Sequence, residues 1–594
     1  MLKRLILVLL FGLVLPAAPA TAETATTAAP FRAMLDRYYE EYLALFPIEA
    51  AINGDNDPRY ESDWPVSISR EHRIKVAAMC EKFLAELAAT DRAALPTTDR
   101  LSYDTLKWNL TFRLAGTQQF FPLMPINQFS CDTLVFAQMG SGTFLHPFKT
   151  APDFRHFLSR ARGFSQWVDA AIANMREGIA WGFVPPRVLM ERVLPQLEAL
   201  LVDDEQKNVF FGPLQHLPAE LSAAEQQALA TEYRAGIRAV VLPAYARLHA
   251  FIRDEYLPHC RATAGIGALA GGQEAYAYAV RLQTTTDFTP EQIHEIGLRE
   301  VTRIRGEMED VQAQVGFKGT LNEFLRFVAT DAQFSPYKTE REVLDGFRAI
   351  ESRVMAAVPQ FFGHRPRTKF AIRATESFRA ATASHEYIAG SADGLRPGVF
   401  FVPVSDPAKY RTPRMEDLFL HEAIPGHHFQ LSLALENTAL PRFRRYDANN
   451  AYVEGWALYC ESLGRDLGLF ADPYQYFGML LGDMNRAIRL VVDTGMHAKG
   501  WTREQAMQFS HENQGGTPER TQAEIERYMA VPGQALGYKM GQLKIRELRA
   551  RGEQQLGAKF DLRAFHDEVL GEGALPLAVL EAHLQAWFDH AAGR

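Results

Sequence analysis

Apolar residues recur every three or four positions along most of this chain, and that spacing favours a helical protein over any sheet-based alternative. The pattern runs through Arg73–Ala89, Phe154–Gly178, Leu221–Glu255 and Glu291–Val315. Helix starts are legible as well. Thr289 caps, Pro290 suits a first turn that needs no amide donor, and Glu291 follows. Thr339 with Glu342 forms a capping box that opens a helix through Val358. The best strand signal is Gly398–Val404 (GVFFVPV), preceded by the turn-forming Ala392-Asp393-Gly394 and Arg396-Pro397-Gly398. The expected fold class is mainly α, with many helices and one small β-sheet near residue 400. The Gly- and Ala-rich stretch 261–283 suggests a boundary near 285, between an N-terminal helical region (23–285) and a second helical region (286–594).

The first residues read as an export signal, residues 1–22. Lys3 and Arg4 precede the apolar run Leu5–Leu15, and Ala20-Thr21-Ala22 offers a small-residue cleavage site. A membrane span needs roughly 20 apolar residues, so this run is too short to serve as one. The expectation is a protein released outside the inner membrane, periplasmic or secreted, with no stable anchor after cleavage. Residues 23–30, ETATTAAP, read as a short flexible leader. Loss of Lys3 and Arg4 moves the formal charge from −8 to −10. That acidity argues against nucleic acid as a partner, because phosphate binding needs clustered Lys and Arg. Four cysteines in 594 residues, none in CxxC spacing, are neither a disulfide framework nor a zinc-thiolate set.

His-Glu dipeptides occur at 294, 385, 421 and 511, and only the one at 421 is followed by further histidines within two turns: HEAIPGHHFQ. In the common zinc-peptidase signature the glutamate beside the first histidine is the general base and the second histidine lies four residues on. Here that fourth position is Pro425, and the histidines are His427 and His428. On a regular helix a six-residue step turns about 600°, or about 120° off the first face, and a seven-residue step rises about 10.5 Å. Neither brings two imidazoles onto one ion, whose nitrogen bonds measure about 2.0–2.1 Å. Pro425 clashes with the carbonyl four residues back, that of His421, and Gly426 permits unusual backbone angles. A break at 425–426 can therefore fold His427 or His428 back toward His421, with Glu422 as the base.

Zinc peptidases with two histidines often take a carboxylate as third ligand. Residues 450–464, NAYVEGWALYCESLG, form a helix in which Glu454 lies among Tyr452, Val453, Trp456, Ala457 and Leu458. A carboxylate in such company needs a partner, because a lone buried charge is costly. Glu461 lies seven residues on, on the same face, either as a support behind the ligands or as a solvated carboxylate.

Several segments resemble the bacterial domain-of-unknown-function family number eight hundred and eighty-five, whose members are described as zinc peptidases or lipoproteins. They are FPIEAAINGD (46–55), TTTDFTPEQIHEIGLREVTRI (284–304), HEAIPGHHFQ (421–430), EGWALYCESLG (454–464), VPGQALGYKMGQLKIRELR (531–549) and FDLRAFHDEVLGEGALPLAVLE (560–581). The resemblance implies a multi-helix zinc-peptidase fold of the thermolysin-like clan, with a substrate cleft and zinc as cofactor. Its motif HExxPGHxxQ points to His427 rather than His428 as the second histidine ligand, and places His428 and Gln430 beside the ligands. It also points to Tyr538 as a donor to the reacting oxygen. Gly533, Gly537 and Gly541, four residues apart, give the Tyr538 segment a bare face for close packing.

The resemblance further implies that the strand Gly398–Val404 is an edge that pairs with substrate, which places Phe400 and Val402 at the peptide. Arg396, Arg411 and Arg414 flank it as candidate grips for a carboxylate. One departure is the absence of a lipoprotein cysteine after the signal. The implied activity is zinc-dependent peptide hydrolysis. A zinc amidohydrolase acting on a non-peptide or cell-wall amide, and an inactive lipoprotein-like binding protein, are the alternatives; the intact Glu422 speaks against the last.

Overall fold

A computed structural model of the chain describes residues 22–593 apart from 56, 143–144, 376–379, 381–382 and 393. The export-signal segment lies outside the described residues except for Ala22. The protein is mainly helical with one small sheet. The helices that frame the argument are α1 (Ala22–Leu45), α2 (Arg70–Ala88), α3 (Thr97–Gly116), α4 (Ala151–Trp181), α5 (Pro290–Gln314) and α6 (Glu340–Phe361). They are followed by α7 (Met415–Glu422), α8 (His427–Glu436), α9 (Asn450–Ser462), α10 (Pro473–Lys499), α11 (Pro518–Ala530) and α12 (Leu536–Leu556).

Local chemistry explains most boundaries. Reciprocal capping boxes start α4 (Thr150/Asp153), α5 (Thr289/Gln292) and α6 (Thr339/Glu342), each satisfying two amides that the first turn leaves unpaired. The run expected over Leu221–Glu255 is helical from Ala223, with wide π-type turns at Ile237–Val241 and Ile252–Tyr256. Pro243 and Pro258 follow these turns, and each wide turn holds the carbonyl four residues before its proline, where a regular helix would clash. One expectation fails here. Residues 23–30 are not a separate leader but the first turns of α1. The helix they begin is anchored by the buried Phe31, Leu35 and Tyr38.

Two apolar cores matter. One joins α1, α2 and α3 through Phe31, Tyr38, Cys80, Phe83, Leu106 and Leu110, with Phe443 reaching in from the short helix Arg442–Arg445 between α8 and α9. The larger one extends from Trp64 to Phe588 and includes Phe419, Leu420, Trp456, Met484 and Ile488, on α7, α9 and α10. All four cysteines are free thiols.

The sheet has three strands, β1 (Phe370–Ala374), β2 (Glu386–Ile388) and β3 (Gly398–Val402), in the order β1-β3-β2. β1 runs parallel to β3 and β2 antiparallel to it. The expected strand is therefore present but is not an edge. Both sides of β3 are already paired, and Phe400 and Val402 are fully buried, so neither can meet a peptide. The short β1 and β2 carry too few alternating residues to stand out in sequence. Among the described residues no helix is long and apolar enough to cross a membrane.

Candidate metal centre

α7 ends at Glu422 and α8 begins at His427, with the turn Ala423–Gly426 between them. The Ile424–Pro425 peptide in this turn is cis. A Cβ on Gly426 would overlap the carbonyl oxygens of Leu420 and His421, so only glycine lets the chain fold back this closely. Trp456 Nε1 of α9 donates to the Pro425 carbonyl at 3.0 Å and holds the turn in place. As a result His421 and His427 face one another, ring centroids 5.0 Å apart and planes at 86°.

Glu454 completes the group. Its Oε2 lies 3.5 Å from His421 Nε2 and 3.8 Å from His427 Nε2. The donor atoms of His421, His427 and Glu454 all lie within 4.8 Å of one another. α9 delivers Glu454 because it packs almost backbone to backbone on α12. A Cβ on Gly541 would overlap the Ala451 carbonyl, one on Gly455 would sit 2.5 Å from Gly541 Cα, and one on Gly537 would strike Asn450. The bare face anticipated at Gly537 and Gly541 thus serves this contact, with Gly455 as its counterpart. Gly533 instead stands just before α12, where its amide donates to Asp493 Oδ1 at 3.1 Å.

The groups behind the ligands are arranged in a chain. Glu461 Oε1, 1% exposed, accepts from His421 Nδ1 at 2.8 Å. An ionised carboxylate only accepts, so Nδ1 carries a proton and Nε2 is the nitrogen that can serve as a ligand once its own proton leaves. Glu461 Oε2 and Asp417 Oδ1 are both buried without a donor. One proton on Asp417, whose pKa burial and the neighbouring Glu461 carboxylate raise, satisfies both oxygens. Arg414 closes the chain on Asp417.

Electrostatics follow this layout. Burial disfavours the charged form of His421, but the Glu454 and Glu461 carboxylates outweigh it and raise the imidazole to about 10. Glu454 is pushed up by burial and pulled further down by His421 and His427, to about 2. Burial lowers His427 to about 4, its Nδ1 has no partner among the described residues, and Gln430 is its polar neighbour. Glu422 is raised to about 7, first by burial and then by the charge of Glu454, against the pull of His421 and Arg486. Tyr538, buried on α12, hydrogen-bonds to Glu454, and its hydroxyl accepts from Arg527 Nη2 at 3.3 Å.

The structure separates the remaining candidates. His428 turns away and meets the Tyr387 hydroxyl at 2.8 Å and the Phe370 ring. Gln430 donates to the Tyr452 carbonyl at 3.3 Å. Arg396 is exposed beyond the sheet. Arg411 is spent on the carbonyls of Val328 and Asp331, and Arg414 on Asp417, so neither is a free grip for a carboxylate.

Sequence reasoning missed Arg486 and Arg489 of α10 and Arg527 of α11. Arg489 lies 4.6 Å over the Tyr538 ring, and Arg486 acts on Glu422 and Glu461. The available signal was two arginines inside a largely apolar stretch of helix, LLGDMNRAIRLVV.

A family model described as "Bacterial protein of unknown function (DUF885)" matches residues 47–584. A crystal structure from Colwellia psychrerythraea, described as a "putative lipoprotein", is 28% identical and superposes with a TM-score of 0.86, covering 95% of this chain and 100% of that one. A "putative lipoprotein of unknown function" from Shewanella oneidensis, 20% identical, superposes with a TM-score of 0.72 over 93% of this chain and 99% of that one, a likeness of fold alone. No curated protein matches the sequence.

Proposed function

The chain belongs to the bacterial DUF885 family, and from that premise we propose that it is an exported zinc-dependent peptidase. The observation that carries the reading is the convergence of two imidazole nitrogens and one carboxylate oxygen within 4.8 Å, beside a carboxyl poised near neutrality. Two histidines and a glutamate form the donor set of three-ligand catalytic zinc sites, which leave further positions open. The fit is also electrostatic. The carboxylates of Glu454 and Glu461 hold a proton on His421 to about 10, which marks a place where this protein favours positive charge. His421, His427 and Glu454 would hold the ion, and when bound it would supply Lewis acidity, polarising a carbonyl and acidifying water.

The protein's own groups do the rest. Glu422, near 7, can take a proton from the attacking water and return it to the leaving nitrogen, so that water and amide become acid and amine. Tyr538 offers a hydroxyl beside Glu454 that can donate to the oxygen on which charge develops. Glu461 fixes the orientation and tautomer of His421.

Export to the periplasm or medium accords with the lipoprotein description of the Colwellia protein and with the signal-like first residues. The test is metal analysis of the purified protein together with cleavage of a mixed peptide library. About one zinc per chain and cleavage that stops on chelation support the reading. Full zinc occupancy with no peptide cut, but with release of amine from non-peptide amides, would move it to an amidohydrolase.

A further inference from the structure

Arg486, Arg489 and Arg527 lie beside the candidate centre, through Glu422 and Tyr538, and the exposed Arg520 lies near Arg486. On α10, Arg486, Arg489 and Asp493 recur at helical spacing along one face: Arg486 acts on Glu422, Arg489 lies over the Tyr538 ring, and Asp493 accepts from the Gly533 amide. α11 packs against α10 and adds Arg520, Glu524, Arg527 and Tyr528.

These arginines are short of acceptors. Glu524 serves Arg489 through a 3.1 Å bond and lies 3.9 Å from Arg527. Arg489, with its side chain 7% exposed, also donates to the Tyr528 hydroxyl at 3.0 Å, yet its Nη1 is buried without a partner. Arg527 donates to Gln534 and Tyr538, and its Nε is likewise buried and unpartnered. Arg486 donates only to the Gly482 carbonyl, at 3.3 Å, and its Nε too lacks a partner among the described residues. Arg520 faces Arg414 and Arg486 as well as Glu524. Buried guanidinium donors left unmade are costly, and gathering like charges adds to that cost. A planar carboxylate offset against such forks answers both, because it accepts two bonds at once.

We infer that Arg486, Arg489 and Arg527 form the binding site for a substrate carboxylate next to the reacting bond, so that the preferred substrate is a peptide with a free carboxyl group close beyond the bond that is cut. This rests on reading His421, His427 and Glu454 as the hydrolytic centre. It reassigns the carboxylate grip, expected at Arg396, Arg411 and Arg414, to α10 and α11. Either a chain terminus or an acidic side chain can supply the carboxylate.

The test compares an acetylated tripeptide as free acid, the same peptide as C-terminal amide, and an amide whose last residue is glutamate. Binding is read by calorimetry on the full chain carrying Glu422→Gln, and cleavage on the wild-type chain. The free acid should bind about 10- to 100-fold more tightly than the amide, as expected for a charge-assisted contact. Arg486→Gln or Arg527→Gln in the same background should shrink that gap to about threefold or less, while melting curves confirm folding. If a glutamine variant melts, the matching lysine variant keeps the charge but loses the fork, and the gap should narrow rather than vanish. Tight binding of the glutamate-ending amide identifies an acidic side chain as the source; binding like the plain amide identifies the chain terminus. Equal binding of acid and amide, including no binding of either, overturns the inference, as does a gap that survives both glutamine variants. An arginine-dependent gap with no cleavage of any peptide upholds the carboxylate site and removes the peptidase reading.

Discussion

Among the described residues two places bring histidine and carboxylates close enough to suggest a metal, and they differ in everything but distance. Glu61, Asp153 and His156 gather at the start of α4, with His156 Nδ1 3.5 Å from Glu61. Asp153 is already committed there. Its Oδ2 accepts from the amides of Lys149 and Thr150, both at 2.8 Å, in the capping box that starts the helix. The His156 side chain is 38% exposed, so water screens its pairing. In the second place, His421 and Glu461 are 5% and 1% exposed, the tautomer is set by a buried carboxylate, and glycine contacts hold the contributing helices together. Proximity of ligand atoms is common at helix starts. A place that favours a cation needs burial, oriented donors and supports that cannot relax.

The sharpest way to break this contrast is to remove one ligand from each place. His421→Ala, His427→Ala or Glu454→Ala should take zinc content from about one per chain to near zero and activity to background. His156→Ala and His428→Ala should leave both essentially unchanged. Zinc retained in the first set, or lost in the second, ends the assignment.

The next effect in size belongs to Glu422. Glu422→Gln keeps shape and an acceptor oxygen, so zinc content and melting temperature should hold while kcat falls about 10²- to 10⁴-fold, roughly 3–5 kcal/mol of barrier. Near-normal kcat with normal zinc would show that another group moves the proton.

Glu461→Gln probes the support behind His421. It should weaken zinc binding by about 10- to 100-fold without abolishing it. A competition titration with a chelator measures this, and an unchanged Kd would mean that the imidazole needs no carboxylate behind it.

The smallest effect is a pH dependence. In the metal-free protein His421 holds its proton to about 10, above the 6.5 of an unfolded chain. Its contribution is therefore fully present below 6.5 and lost as pH rises through 10. Glu454, lowered from 4.5 to about 2, contributes above 4.5 and loses that contribution as pH falls toward 2. The melting temperature of the metal-free protein should decline between pH 6.5 and 10, whereas zinc-loaded protein should decline less. Parallel curves would show that proton and metal do not share the site.

What was legible in the chain were features carried by neighbours in sequence. The helices at Arg73, Phe154, Glu291 and Thr339 announced themselves through periodicity and caps, because a helix satisfies its own backbone locally. The break at Pro425-Gly426 and the bare face at Gly537 and Gly541 were legible for the same reason: proline and glycine change backbone options whatever surrounds them. Glu454 and Glu461 could be proposed because a carboxylate in an apolar helix needs a partner, though the chain does not say which one.

The partners themselves were decided by tertiary packing. That Glu461 faces His421 Nδ1 while His428 turns to Tyr387 depends on how α7, α8 and α9 cross, and a shift of one residue at the turn would exchange the two histidines. That Gly398–Val402 lies at the centre of its sheet rather than at an edge depends on β1 and β2, whose five and three residues gain stability only by pairing with it. Arg486, Arg489 and Arg527 look in sequence like ordinary basic residues of two helices. Only the packing of α10 and α11 against Tyr538 takes their guanidinium groups out of water, and removal from water is what turns a charge into a binding site.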